Sequence, residues 1–383
     1  MLKSLKNVAM ENVMKKPIRV LHVFGRTDRG GAETFIMNIY RQIDRTQIQF
    51  DFMVHTEDEC AYDKEILNLG GRIFRVPRYN GKNHFEYKKA WKAFFEKHPE
   101  CTIIHGHMTS TAAIYLKIAK KFDKKTISHI HSTAPVGKGI SATAKQLFER
   151  NAKKYADHLF ACSKAAAAWC YGEKYTEHND VKVIKNAIDV NRFVFDENTR
   201  AAKRAELGLT NNFVIGHVGN FVIPKNHSFL IDVFYEVSKK NNDAVLLLVG
   251  GGSLRKEIED KVAKLGLVDR VIFAGVRSDI PELLCAMDVF VFPSLWEGFA
   301  VALVEAQASG LLCIVSDTIP NEVDISELVK FVSLSENALD WAHNVVSLAL
   351  ENTKRQLFSI KIAKAGFDAT TTAGLLEKFY LGE

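Results

Sequence analysis

Two glutamates, Glu297 and Glu305, flank a loop and the start of an apolar run in the stretch Pro293-Ser294-Leu295-Trp296-Glu297-Gly298-Phe299-Ala300-Val301. A carboxylate accepts hydrogen bonds from two hydroxyls at once, which suits the vicinal diol of a ribose or a sugar ring. Ahead of the pair, Val289-Phe290-Val291-Phe292 has the length and the β-branched and aromatic content of a buried strand. Pro293 and Ser294 end that strand, and Gly298 permits a tight turn. Val301, Leu303, Val304 and Ala308 recur at helical spacing, so a helix is expected from near Phe299. Glu297 then lies on the loop before the helix and Glu305 in its first two turns. The amides of Phe299, Ala300 and Val301 would stand free at the helix start, with the helix dipole behind them, as a site for phosphate. An isolated pair of glutamates at this spacing is more often a helix-start preference and a surface ion pair. The rest of the chain decides between the two.

From Pro17 onward, strand-like and helix-like segments alternate with short breaks, the pattern of a parallel sheet covered on both faces. Strands are expected at Ile18–Phe24, Phe50–His55, Arg72–Val76, Thr102–His107, Thr126–His131, Leu159–Ser163 and Val181–Lys185. A second series follows at Val214–Val218, Val245–Val249, Val271–Ala274, Val289–Phe292 and Leu312–Val315. Several chemistry-bearing groups fall just after these strands, where open α/β sheets bind ligands. Gly30-Gly31-Ala32-Glu33 joins the first strand to the first helix, without the Gly-x-Gly-x-x-Gly spacing of a dinucleotide site. His129 and His131 end the fifth strand, with Ser132 and Thr133 beyond them. His217-Val218-Gly219-Asn220-Phe221 precedes Lys225, a cation suited to a diphosphate. Gly250-Gly251-Gly252 and Gly275-Val276-Arg277 follow the next two strands. Arg277 is placed either to face a ligand or to pair with Asp279.

The chain has 383 residues, too many for one ordinary core, so two domains are expected. Its 47% apolar and 25% charged content describes a globular protein, and no run of about 18 apolar residues suggests a membrane span. Residues 1–16 lack the apolar core of a signal peptide and read as a loose extension, or as residues upstream of a start at Met14. Six scattered cysteines without a Cys-x-x-Cys pair argue for a reducing cytoplasm and against a zinc site. Neither an Asp-x-Asp pair nor a histidine cluster at metal spacing is evident. Residues 1–185 hold 32 Lys and Arg against 19 Asp and Glu; the remainder holds 19 against 26, giving +13 and −7 within the overall +6. Lys117, Lys120, Lys121, Lys124 and Lys125 cluster in the basic half. On a helix the first four share one face, which would suit an anionic membrane surface.

The succession of strand, Pro-Ser, Glu-Gly-Phe, small residue, apolar helix with Glu305, Ala308-Ser309-Gly310 and a following strand at Leu311–Val315 resembles the signature of retaining glycosyltransferases of family 4. The resemblance implies an α/β architecture, the GT-B fold, with two Rossmann-like parallel-sheet domains facing each other across a cleft. It suggests an N-terminal acceptor domain over 17–190 and a nucleotide-sugar domain over 191–355. The helices of 356–383 would cross back to the first domain. By the same resemblance Glu305 holds the donor ribose, Glu297 the hydroxyls of the transferred sugar, and Lys225 with the loop amides the departing diphosphate. His131 reaches the donor sugar, with His129 in support, and His131, Lys225 and Glu297 form the catalytic set. Gly30, Gly31, Gly219, Asn220, Gly251, Val276, Arg277, Phe299, Ala300 and Val301 line the donor site with Glu305. The family commonly carries an Arg where this chain has Asn220, which puts full neutralisation of the diphosphate in doubt. The expected reaction moves a sugar from a nucleoside diphosphate sugar, UDP-linked by resemblance, to a saccharide or lipid-linked acceptor of a bacterial surface polysaccharide. It needs no metal and no cofactor beyond the donor, and it takes place in the cytoplasm or at the inner face of the membrane. The alternatives are a nucleotide-sugar epimerase or hydrolase on the same fold, and a donor-binding protein with weakened chemistry.

Overall fold

Short runs rich in Val, Ile, Leu and Phe, each bounded by turn residues, form thirteen strands among the described residues, all in parallel sheets. The computed structural model describes residues 16–131, 150–177, 180–297, 299–348 and 354–383. The N-terminal extension, Ser132, Thr133, most of a helix expected over 142–155, and Gly298 lie outside them.

The first sheet contains β1 (Ile18–Val23), β2 (Ile48–Val54), β3 (Arg72–Arg75), β4 (Cys101–Gly106), β5 (Lys125–Ile130), β6 (His158–Ala161) and β7 (Val181–Val183). Their order is β3-β2-β1-β4-β5-β6-β7, so the winding reverses between β1 and β4. The second contains β8 (Phe213–Val218), β9 (Ala244–Val249), β10 (Val271–Gly275), β11 (Val289–Phe292), β12 (Leu312–Ser316) and β13 (Val329–Val332). Its order is β10-β9-β8-β11-β12-β13, and the reversal falls between β8 and β11. At such reversals the loops leaving the strand ends diverge and open a crevice for ligands. The loops that leave β8 and β11 are those carrying Asn220, Lys225 and Glu297.

The chain divides into two compact units. The first ends at Ile184 and regains the chain at Thr370; the second runs through Lys185–Ala369. The boundary therefore comes six residues before the expected one, and residues 354–369 belong to the second unit. Only the closing helix Ala369–Leu381 supplies the return segment, through Tyr380 on His105 and Lys125 over the Phe379 ring at 4.2 Å. Large aromatics fill the first core, with Trp91 stacked on Tyr115 at 5.1 Å. In the second unit both sheet faces are covered by apolar side chains.

The lysine cluster does not form the expected helical face. The helix Ala112–Lys120 stops at Lys120, and Asp123 turns the chain with φ of 54°. Lys124 is buried and donates to the Pro99 carbonyl at 2.7 Å, while Lys125 begins β5. Lys120 pairs with Asp157. A partner or a sheet position claims each of these three lysines.

Candidate functional site

In the second unit, the loops after β8 and β11 are tied together by the Leu295 amide, which donates to the Pro224 carbonyl at 2.7 Å. This brings Lys225 to Glu297, Nζ to Oε1 at 2.6 Å, with side chains only 19% and 13% exposed. The ammonium also lies 4.7 Å from the Phe292 ring centroid. A pair this desolvated is strong only while both members remain, because either charge alone would be stranded.

Glu305 rides on the helix Val301–Ala308, and no side chain among the described residues hydrogen-bonds its carboxyl. Burial pushes that carboxyl up to about 8, with Arg192 offsetting part of the effect. A half-buried acid with unused acceptor capacity is suited to a pair of incoming hydroxyls. The helix starts at Val301, whose amide, expected to be free, donates to the Phe299 carbonyl at 3.0 Å. Val301 therefore supplies no free amide, which corrects that expectation. Among the described residues the Phe299 and Ala300 amides donate to no backbone carbonyl, and the Phe299 ring is stacked on Phe367 at 5.4 Å.

Asn220 is exposed beside Gly219. Arg277 holds Asp279 with two nitrogens, at 2.7 and 2.5 Å, and approaches Glu206 at 3.4 Å. Of the two readings of Arg277, the geometry gives the ion pair. Val276 beside it is 61% exposed, an apolar surface next to Gly251.

The glycine triplet makes room for protein backbone. A Cβ on Gly250 would lie 2.1 Å from the Gly219 carbonyl oxygen, and one on Gly252 only 2.5 Å from that of Phe221. Both have φ near 147°, a region closed to other residues. Between them the Gly251 carbonyl accepts the Phe221 amide at 2.7 Å, clamping the Asn220 loop. Gly252→Ala is therefore expected to cost roughly 1–3 kcal/mol, lowering Tm by several degrees in a thermal melt. An unchanged Tm would show that the loop rearranges freely.

Two histidines behind Lys225 carried no role in the sequence reading. His217 donates from Nδ1 to the Val291 carbonyl at 2.8 Å, and His227 stacks on Phe221 at 4.2 Å. Burial lowers both, His227 to about 4, so they stay neutral beside the ammonium.

In the first unit Gly30 is explained by Glu33, whose carboxylate folds back so closely that a Cβ on Gly30 would meet Oε2 at 2.2 Å. Burial pushes the Glu33 carboxyl up to about 7, and Asp28 adds to the shift. Gly31 opens the first helix, Gly31–Gln42. His131 is not isolated. His22, His105, His107, His129 and His131 converge at the carboxyl ends of β1, β4 and β5. The nitrogens of His22, His105 and His107 lie within 4.8 Å of one another, as do those of His107, His129 and His131. This corrects the expectation that no histidines gather at metal spacing. The signal was present in the sequence as His-x-His twice and a single His on neighbouring strands. Alternate strand residues share a face, and the register sets His22 opposite His105.

Residues 29–192 match the family described as Glycosyltransferase Family 4, and residues 199–364 match Glycosyl transferases group 1. A relative from Bacillus subtilis (strain 168), named "Putative glycosyltransferase EpsF", is 36% identical over 368 residues, covering 94% of this chain and 96% of its own. The chain belongs to the family 4 glycosyltransferases. The transferase is also 32% identical over 223 residues to an Escherichia coli protein named UDP-Gal:alpha-D-GlcNAc-diphosphoundecaprenol alpha-1,3-galactosyltransferase, covering 56% of this chain and 57% of that one. Among solved structures, Anabaena HepE in complex with UDP and glucose matches with a TM-score of 0.78 at 20% identity, over 96% of this chain and 100% of that one. WaaG, described as involved in lipopolysaccharide biosynthesis, matches with a TM-score of 0.74 at 16% identity over 96% and 100%. Likeness at these identities shows the fold, and the transferase has the GT-B fold.

Proposed function

We propose that the transferase moves a sugar, with retention of configuration, from a UDP-sugar to a saccharide or lipid-linked acceptor of a surface polysaccharide. The observation that carries this reading is the loop after β11. It holds Glu297 against Lys225, and it leads into the helix that bears Glu305, whose buried carboxyl has no side-chain hydrogen bond among the described residues. The named donor and diphosphoundecaprenol acceptor of the Escherichia coli relative support it, as do the UDP complexes of HepE.

Glu305 accepts the ribose hydroxyls and Glu297 those of the transferred sugar. As the bond from the anomeric carbon to the β-phosphate oxygen breaks, its electron pair stays on the phosphate. Lys225 and the Phe299 and Ala300 amides stabilise the charge that develops there. The departing phosphate takes the acceptor hydroxyl's proton on the same face where the new bond to carbon forms, which retains configuration. This route needs no covalent nucleophile, no metal and no cofactor.

With Arg277 committed to Asp279, neutralisation of the diphosphate falls on Lys225. Asn220→Arg is expected to tighten UDP-sugar binding or raise kcat by about tenfold, the worth of one charge-assisted hydrogen bond. If calorimetry and kinetics show neither, another group supplies the charge.

A panel of UDP-sugars, screened by thermal stabilisation and then offered with a polyprenyl-diphosphate sugar, tests the proposal. The account expects an α-linked product, recognised by the small coupling of its anomeric proton. A β-linked product would overturn retention. The same acceptor would bring the basic first half to an anionic leaflet. Vesicle binding that fades with salt supports that contact, and indifference at low salt points to a soluble saccharide.

A further inference from the structure

The helix His84–Lys97 of the first unit has two unlike sides. Tyr87, Trp91, Phe94 and Phe95 are buried in the aromatic core. On the outward side Phe85 is 85% exposed, more than any other large apolar side chain among the described residues. Successive residues of a helix turn by about 100°, which sets Phe85, Lys88, Lys89 and Lys92 within one arc of about 100°. Ahead of the helix, Arg78 and Lys82 are exposed as well. A single exposed phenylalanine needs no explanation by itself. Its surroundings give it one.

The loop that carries Arg78 and Lys82 is wired to the helix start. Asn80 Oδ1 accepts the amides of Lys82 at 2.9 Å and Asn83 at 3.0 Å. Asn83 Oδ1 accepts the Asn80 amide at 3.0 Å, and Asn83 Nδ2 donates to the Arg78 carbonyl at 2.9 Å. Gly81 turns the tip with φ of 83°, where a Cβ would meet nothing within 4 Å. Behind the tip, Tyr79 packs on Tyr87 at 5.3 Å. The loop is thus an ordered projection beside Phe85.

Its charge is one-sided. Residues 78–92 hold five Lys and Arg against one acid, Glu86. Among the described residues, none of these five cations makes an ion pair or a side-chain hydrogen bond. Lys120 and Lys124, by contrast, are taken up by Asp157 and by the Pro99 carbonyl.

We propose that this side of the helix and its loop are the face by which the chain docks on an anionic lipid bilayer. Phe85 enters the boundary between headgroups and acyl chains, and the lysine ammoniums lie at the lipid phosphates. The proposal rests on the reading above that the acceptor is lipid-linked. Lysine stems are apolar and their heads charged, so they lie along an interface while a neighbouring aromatic ring enters it. Cations without acidic partners keep their full attraction for anionic headgroups. A second copy of the chain would bring the same positive charge to this face and be repelled. A soluble polyanion would use the charge and leave the ring in water.

Co-sedimentation of the full chain with vesicles of mixed phosphatidylglycerol and phosphatidylcholine tests this. Wild type should bind at low salt, more weakly at high salt, and poorly to phosphatidylcholine alone. Each lysine at an anionic surface is worth about fivefold, so Lys88→Gln/Lys89→Gln/Lys92→Gln should weaken binding by about a hundredfold. Phe85→Ala should weaken it by about tenfold. Both variants change exposed side chains and should melt as wild type does. Lys117→Gln/Lys121→Gln, on the other basic helix, should matter far less. The fluorophore added by Phe85→Trp, read as the difference from wild type, should shift to the blue on vesicles and be quenched by brominated acyl chains.

Absence of binding at low salt overturns the proposal, and so does binding that the triple variant retains. If Phe85→Ala binds as wild type does and the Phe85→Trp fluorophore stays unquenched, the face takes any polyanion and the bilayer is overturned. Transfer to a polyprenyl-diphosphate sugar in the vesicles should fall in both variants, while transfer to a short-chain, water-soluble analogue keeps the wild-type rate. Vesicle binding lost in the variants, without any transfer to the lipid-linked sugar, would leave the docking face standing and overturn the acceptor reading. Transfer to that sugar in vesicles, untouched by either variant, would do the reverse.

Discussion

Glu305→Gln is expected to lower transfer activity by at least about tenfold while making the unliganded protein more stable at neutral pH. The loss follows from exchanging an anionic acceptor for a neutral one at two ribose hydroxyls, each such bond being worth roughly 1.5–3 kcal/mol. The gain follows from proton linkage. The Glu305 carboxyl is raised to about 8 in the folded chain from its ordinary value of 4.5. Between those values the folded protein keeps a proton that the unfolded chain has released, so stability falls as pH rises through the window. Below it the wild type and the variant should melt together. Toward its upper end the variant should melt a few degrees higher, since about 1 kcal/mol moves Tm by roughly 2–4 °C in a domain of this size. Affinity for the proposed UDP-sugar donor should carry the same signature. It should strengthen as pH rises toward 8 in the wild type and stay flat in the variant, as measured by calorimetry. A fully active variant, or one with the wild-type pH profile of stability, would remove Glu305 from the ribose.

Lys225→Met should be the more damaging change, lowering kcat by about a hundredfold or more, the scale of losing one charge-stabilising group at a departing oxyanion. It also strands Glu297, whose partner at 2.6 Å is gone. The single substitution is therefore expected to lower Tm, and adding Glu297→Gln should restore much of that stability without restoring the rate. Melting curves and steady-state kinetics of the two singles and the double separate the roles. Additive losses of stability would mean that the pair does not act as a unit.

The features that define the fold were legible where a residue's own type decides its placement. Val289-Phe290-Val291-Phe292 became β11 at the expected bounds, because four large apolar residues can only be buried. The helix Glu197–Leu207 was missed because its apolar stripe is thin. It docks instead through Arg200 and Arg204, which share Asp288. Strand β13 was missed for a related reason: it is four residues at the sheet edge with an outward Lys330. At the site, Glu297, Glu305 and Lys225 were readable from a local motif, but the ion pair between two of them depends on loops 72 positions apart. The histidine array was hidden for the same reason, since strand register across β1, β4 and β5 assembles it and no single stretch reveals it. The lysine face failed because helix length was assumed: Asp123 in a left-handed turn ends the helix before Lys124.

The central claim, that this chain transfers a sugar and does not merely bind or hydrolyse its donor, is tested most directly by following UDP release with and without acceptor. The account predicts that wild-type protein with its UDP-sugar releases UDP only when the polyprenyl-diphosphate or saccharide acceptor is added, in step with glycosylated product. UDP released at the same rate without acceptor, or a donor sugar recovered as its epimer, would contradict it.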